Sequence, residues 1–167
     1  MMHRFLTWLT DYMPAKFILI DGKPYIDRFF VIGWRGYNFY LHQFFSGDGQ
    51  RDLHNHPWPF SFSIILRGSY IETFLAKWFA SPHAVIKTNT RIVKRFNVIT
   101  GNRFHNIDQV APNTWTLFFV TPKTQHWGFI NECGKLIPAP HMTENDWWKD
   151  APTGKQLRDR RLSNNRR

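Results

Sequence analysis

The sequence predicts an all-β domain, a barrel or sandwich of short antiparallel strands. Three observations carry this. Aromatic side chains are abundant, with 16 Phe, 8 Trp and 5 Tyr, and together with the β-branched residues they suit a pleated, half-buried surface. Seven runs have strand character: "PYIDRFFVI", "GYNFYLHQFF", "SFSIILRG", "SYIETFLAKW", "RIVKRFNVI", "NTWTLFFVT" and "HWGFI". The breaks between them carry turn chemistry in "GDGQ", "RGS", "SPH", "TGN", "APN" and "TPK", and no helical period lies between, which disfavours a βαβ architecture.

In chain order, "MMHRFLTWLTDYMP" opens with a charge at Arg4 and a broken apolar run. It is a poor signal peptide and reads as a short amphipathic helix over about residues 3 to 12. The strand runs follow, and "ENDWWKD" is a second helical candidate. Residues 1–150 form the predicted barrel domain. The terminal "APTGKQLRDRRLSNNRR", residues 151–167, has one apolar anchor, so a disordered basic tail is expected there.

At 167 residues the chain suits one domain, large enough to bury roughly 70% of its unfolded surface. No segment approaches the ~20 apolar residues of a membrane span, so no membrane partner is expected. Cys133 is the only cysteine, which excludes an internal disulfide framework and suits a reducing cytoplasm. The net charge is +10, and the tail's six basic residues against Asp159 supply half of it. Two readings of the tail stay open: an electrostatic arm for nucleic acid or another polyanion, and a solubilising terminus.

The chemistry concentrates in "DLHNHPWPF". Residues two apart in a strand share a face, so His54 and His56 project together and Asp52 joins them. Neutral imidazoles on a rigid strand suit a divalent transition metal; a polar strand that merely contains two histidines is the alternative. A third ligand is offered by His105 in "TGNRFHNI", after a glycine turn and before a strong strand. Pro57 and Pro59 remove ladder donors beside the pair, so the strand there lies at an edge or is bulged.

These residues resemble the cupins, in their small single-domain RmlC-like form. His54, His56 and Gly68 match the first cupin motif, but the position of its usual Glu falls on Phe60 or Ser61. Gly101 and His105 match the second motif, with Ile99 where a Pro is usual. The chain is also similar to a poorly characterised group of phage and bacterial cupins, at "PYIDRFFVI", "YLHQFF", "DLHNHPWPF", "SIILRGSYIE", "FHNI" and "WTLFFVTPKTQHWGF". The resemblance implies a cupin-type antiparallel barrel, a jelly roll or double-stranded β-helix. It also implies metal ligands at His54, His56 and His105, with Fe expected and Mn, Ni or Zn as alternatives. A three-His set looks like that of the thiol dioxygenases. Cupins often dimerise through exposed strands, so a homodimer is expected.

Two carboxylates are candidates for chemistry. Asp52 would complete a two-His-one-carboxylate set if its strand bends inward. Glu72 faces inward if the Pro57–Pro59 bulge shifts side-chain parity by one, and outward otherwise. Trp58 could wall the cavity or stack on a planar ligand, and His42 could hydrogen-bond on an inner wall, whereas His126 reads as a strand-start residue. Arg51, Arg67 and Arg103 lie near the motifs in sequence and suit an anionic substrate group. The leading expectation is an Fe(II)-type oxygenase acting on a small polar or anionic molecule. The rivals are a binding protein that sequesters a nucleotide, sugar-nucleotide or nucleic acid, and a metal-free isomerase or epimerase using a His–carboxylate pair.

Overall fold

The computed structural model describes residues 1–48, 52–79, 85–131, 133–139 and 146–164. Its elements are helix α1 (Met2–Thr10), strands β1 (Ala15–Ile20), β2 (Lys23–Trp34), β3 (Tyr37–Phe44), β4 (Leu53–His54), β5 (Phe60–Arg67), β6 (Tyr70–Phe79), β7 (Val85–Val93), β8 (Phe96–Thr100), β9 (His105–Val110), β10 (Thr114–Val120), β11 (Gly128–Ile130) and β12 (Leu136–Pro138), and helix α2 (Gly154–Asn164).

Two antiparallel sheets result, ordered β1-β2-β3-β10-β5-β8 and β12-β11-β4-β9-β6-β7. Strands β3 to β10 pair as if a long hairpin had been rolled up. β6 pairs β7, β5 pairs β8, β4 pairs β9 and β3 pairs β10, alternating between the two sheets. That order is a jelly roll, as the strand patterning and the family resemblance led us to expect. The tight β5–β6 connection needs Gly68: its φ is +80°, and a Cβ there would lie 2.2 Å from Thr114 Oγ1.

Side-chain alternation divides the first sheet into two packed faces. The inner face contributes Ile26 and Phe44, which meet Tyr70, Val93 and Ile107, and also Tyr40, Phe118 and Val120. Part of the outer face is covered by α1, where Leu6, Ala15, Phe29, Leu41 and Trp115 form a separate core. Burial of each such large side chain stabilises the fold by about 1.5–3 kcal/mol. Trp115 Nε1 finds a partner by donating to His3 Nδ1 at 3.0 Å.

The basic terminal segment departs from the disorder its composition predicts. Residues Gly154–Asn164 are α2, and Leu157 packs on the outer core. Arg158 donates to the Thr7 carbonyl at 3.1 Å and to Asp11 Oδ1, and Arg161 Nη2 donates to Asp27 Oδ1 at 2.6 Å. Arg161 also lies over the Phe17 ring, 3.9 Å from its centroid. Ion pairs and cation–π contacts, which an apolar count does not register, supply the ordering that one leucine cannot. Arg166 and Arg167 lie outside the described residues.

Two further local differences appear. "RIVKRFNVI" is two strands, because the chain turns at Lys94–Arg95 without glycine or proline. Within "ENDWWKD", residues 146–150 are turn rather than helix. Trp148 stacks on Phe30 with centroids 4.2 Å apart, and Trp147 packs with Tyr40. Neither described helix is long and apolar enough to cross a membrane.

Candidate metal centre

His54 ends β4 and pairs across the sheet with His105, the first residue of β9. His56 follows two residues later. One ring nitrogen from each of the three lies within 4.8 Å of the others, and His56 Nε2 is 2.8 Å from His105 Nε2. Asn55, between the pair, pins the segment: its side chain donates to the Gly101 carbonyl at 3.0 Å and accepts from Gly128 N at 2.7 Å. Gln125 Nε2 donates to the His56 carbonyl at 2.8 Å.

Glu72 stands behind His105, fully buried. His105 Nδ1 lies 2.8 Å from Glu72 Oε1. Asn97 Nδ2 donates to Oε1 at 3.0 Å and Arg91 Nε to Oε2 at 2.7 Å. Burial pushes the Glu72 carboxyl up, but the His105, Asn97 and Arg91 contacts outweigh it and bring it down to about 2. An ionised carboxylate only accepts, so Nδ1 carries the hydrogen of His105. In a neutral imidazole Nε2 is then the lone-pair atom, directed at the cluster.

His54 has its own carboxylate neighbour, which the sequence did not single out. Its Nδ1 is 3.9 Å from Oδ2 of Asp48, a buried residue. Asp48 exchanges two hydrogen bonds with Ile107: its backbone N donates to the Ile107 carbonyl at 2.6 Å, and its Oδ2 accepts from Ile107 N at 3.0 Å. Gly47 makes this approach feasible, since a Cβ there would sit 2.2 Å from the Asp108 carbonyl oxygen.

The inner face of β2, β3 and β10 forms a facing wall. His42 is buried and accepts a bond from Arg28 Nε at 3.0 Å, and Arg28 lies over the Tyr40 ring at 5.3 Å. Burial and then the Arg28 charge hold His42 well below the usual imidazole range. Burial, then His105 and His54, with smaller contributions from Arg28 and His42, do the same for His56. Both rings are neutral at physiological pH. Among the described residues no ion pair joins Arg28 to a carboxylate; its Nε is engaged by His42 and its guanidinium lies over Tyr40. Trp58 stacks on His56, centroids 5.4 Å apart, and meets Phe118 edge-on.

Other candidates separate. Glu72 faces inward as the parity-shifted alternative requires, and Ser61 and Ser63 are buried with it. Arg103 reaches the same interior, 4.0 Å from Glu72 Oε2 and 4.3 Å over the Phe74 ring. Asp52 lies just before β4 and is not among the clustered ligands; the carboxylate beside His54 is Asp48. Arg67 is exposed at the far end of β5, about 23 Å along the strand from Phe60 at a 3.3 Å rise per residue. That excludes it from the centre. His126 is exposed just before β11, and Arg51 lies outside the described residues.

The donor set fits a divalent transition metal. With bonds of about 2.0–2.1 Å, nitrogens on adjacent coordination positions stand about 3 Å apart, close to the 2.8 Å between His56 and His105. His54, His56 and His105 could therefore hold the ion, with Glu72 and Asp48 behind two of them.

No protein-family model and no curated protein matches the chain. It is similar to a crystal structure of Fe(II) HppE, with 13% identity and a TM-score of 0.45, covering 66% of this chain and 56% of that one. It is also similar to a recombinant oxalate oxidase in complex with glycolate (17% identity, TM-score 0.41, 57% of this chain and 46% of that one). A third is an uncharacterised conserved protein with a double-stranded β-helix domain from Klebsiella pneumoniae subsp. pneumoniae MGH 78578 (10%, 0.42, 70% and 91%). The chain thus spans little more than half the length of the HppE structure. The jelly roll stands on the strand pairing itself.

Proposed function

We propose that the chain is a metal-dependent cupin enzyme, an Fe(II)-type oxygenase acting on a small anionic molecule. The observation that carries the reading is the convergence of three histidine nitrogens within 4.8 Å, one of them oriented by a buried carboxylate. Bound Fe(II), or Mn, Ni or Zn in its place, would supply Lewis-acid chemistry, and a redox-active ion electron transfer as well, with open positions for substrate. The protein's residues do the rest. Glu72 fixes the His105 tautomer, and neutral His56 offers a lone pair without first losing a charge. Arg28, positioned by His42, binds the anionic group of the substrate through its terminal nitrogens. Trp58 and Phe118 exclude water from that wall.

The test is oxygen consumption by anaerobically Fe(II)-loaded protein against a panel of small carboxylates and thiols. Uptake should depend on one class, vanish in His54→Ala/His56→Ala, and show a raised KM in Arg28→Met with iron retained. Iron bound without uptake on any member would favour the non-catalytic reading, a cupin that sequesters an anionic ligand.

The Glu72–His105 contact also supports a second reading, metal-free isomerase or epimerase chemistry with His105 as general base. Protein that turns over after exhaustive chelation would favour it. A polyanion arm is less supported, since Arg158 and Arg161 are engaged within the fold. Steep salt dependence of nucleic-acid binding, lost on removal of residues 152–167, would restore it.

A further inference from the structure

The outer face of the first sheet is only partly covered by α1 and α2. The rest carries an aromatic and aliphatic ladder that no element covers among the described residues. One row crosses five strands in register: Ile32 on β2, Phe39 on β3, Phe119 on β10, Phe62 on β5 and Val98 on β8. Trp34–Tyr37 and Ile64–Phe96 pairs extend it on either side. The rings touch one another, Phe39 and Phe119 at 4.9 Å and Tyr37 and Phe119 at 6.3 Å. They nevertheless remain open outward: Ile32, Trp34 and Phe96 are 63%, 69% and 64% exposed, and Tyr37, Phe39, Phe60, Ile64 and Val98 between 37% and 44%.

Eight such side chains average roughly half exposed; five are aromatic, presenting about 150–250 Å² each when fully free, and with the three smaller aliphatic ones they leave on the order of 700 Å² of apolar surface. That exceeds the 300–600 Å² patch usual on a monomer. It approaches the roughly 800 Å² per partner of a standard interface. None of the ladder residues is charged, so the occupant must be apolar and flat in turn.

We propose that this face packs against the same face of a second copy, making an isologous dimer in which two jelly rolls meet outer sheet to outer sheet. The contact is face-on, with the ladder rows interdigitating at the ~10 Å spacing of stacked sheets, and no strand edge is paired. Each chain carries a net charge of +10, so long-range repulsion opposes association and salt screens it. The dimer therefore tightens as ionic strength rises, opposite to an interface built on ion pairs.

Sedimentation equilibrium of the full chain tests this, across micromolar concentrations and two salt levels, with Ile32→Lys/Phe96→Lys and Phe39→Glu as variants. All three positions are exposed, and circular dichroism confirms folding of each variant. The expected result is a wild-type dimer, stronger at high salt, with the dissociation constant raised at least tenfold in both variants. A monomer throughout would overturn the proposal, and flotation of that monomer with phospholipid vesicles would assign the face to a lipid surface instead. A dimer that neither variant weakens would overturn it too, placing the contact on a strand edge or another surface.

Discussion

Glu72 Oε1 lies 2.8 Å from His105 Nδ1 inside the barrel, and that contact decides which nitrogen of His105 faces His56. The carboxylate comes from β6 and the imidazole from β9, strands locked together by their ladder. Glu72 therefore orients His105, a candidate metal ligand, and Arg91 and Asn97 hold Glu72 in turn.

Replacing Glu72 with Gln removes the ionised acceptor and leaves the Arg91 guanidinium beside a neutral amide. Metal affinity should fall about 10–100-fold, as for other groups that orient metal-bound histidines, with a loss of stability of about 1–3 kcal/mol. Competition with a fluorescent chelator and urea unfolding measure the two effects. Unchanged affinity would remove Glu72 from the centre.

Much of this centre is legible in the sequence, and the exceptions have physical causes. His54, His56 and His105 follow from strand periodicity and a glycine turn. Glu72 was undecided because its facing depends on parity across Pro57–Pro59: His56 and Ser61 both face inward although five residues apart, an odd step that regular alternation forbids. Asp48 was missed because a loop carries it to β9, and only the Asp48–Ile107 bonds reveal the approach. Arg28 was missed because its facing follows from the register that sets it opposite His42. The jelly roll was readable from strand runs and turns, whereas α2 was not, since arginine pairs rather than an apolar stripe hold it.

Gly47→Ala tests the Asp48 loop. Its Cβ would press on the backbone carbonyl of Asp108, which cannot move without β9, so stability should fall by at least about 2 kcal/mol and metal binding should weaken. At Gly101 the obstacle is the side chain of Gln125, which can swing aside, so Gly101→Ala should be milder in thermal unfolding. The reverse order would contradict the account.

The α2 contact predicts that Leu157→Ala lowers stability by about 1–2 kcal/mol, the cost of trimming a partly buried leucine. A disordered tail would show no change in urea unfolding.

Asp27 provides the pH signature. Burial raises its carboxyl to about 6, with Arg161 only partly offsetting the effect, while the unfolded value is 3.8. The folded state thus holds a proton that the unfolded state releases, so Asp27's contribution is complete below 3.8 and lost as pH rises through about 6. Asp27→Asn has no such dependence. Wild-type stability relative to the variant should therefore fall, on the order of 3 kcal/mol, between about pH 4 and pH 7.5. A constant difference, or a rising one, would contradict the assignment.

Elemental analysis of protein purified without an affinity His-tag and without chelators tests the central claim most directly, set beside His54→Ala/His56→Ala. The account predicts about one equivalent of Fe, Mn, Ni or Zn per chain, lost in the double variant. Wild-type protein that contains none of these metals and takes up none when they are supplied would contradict it.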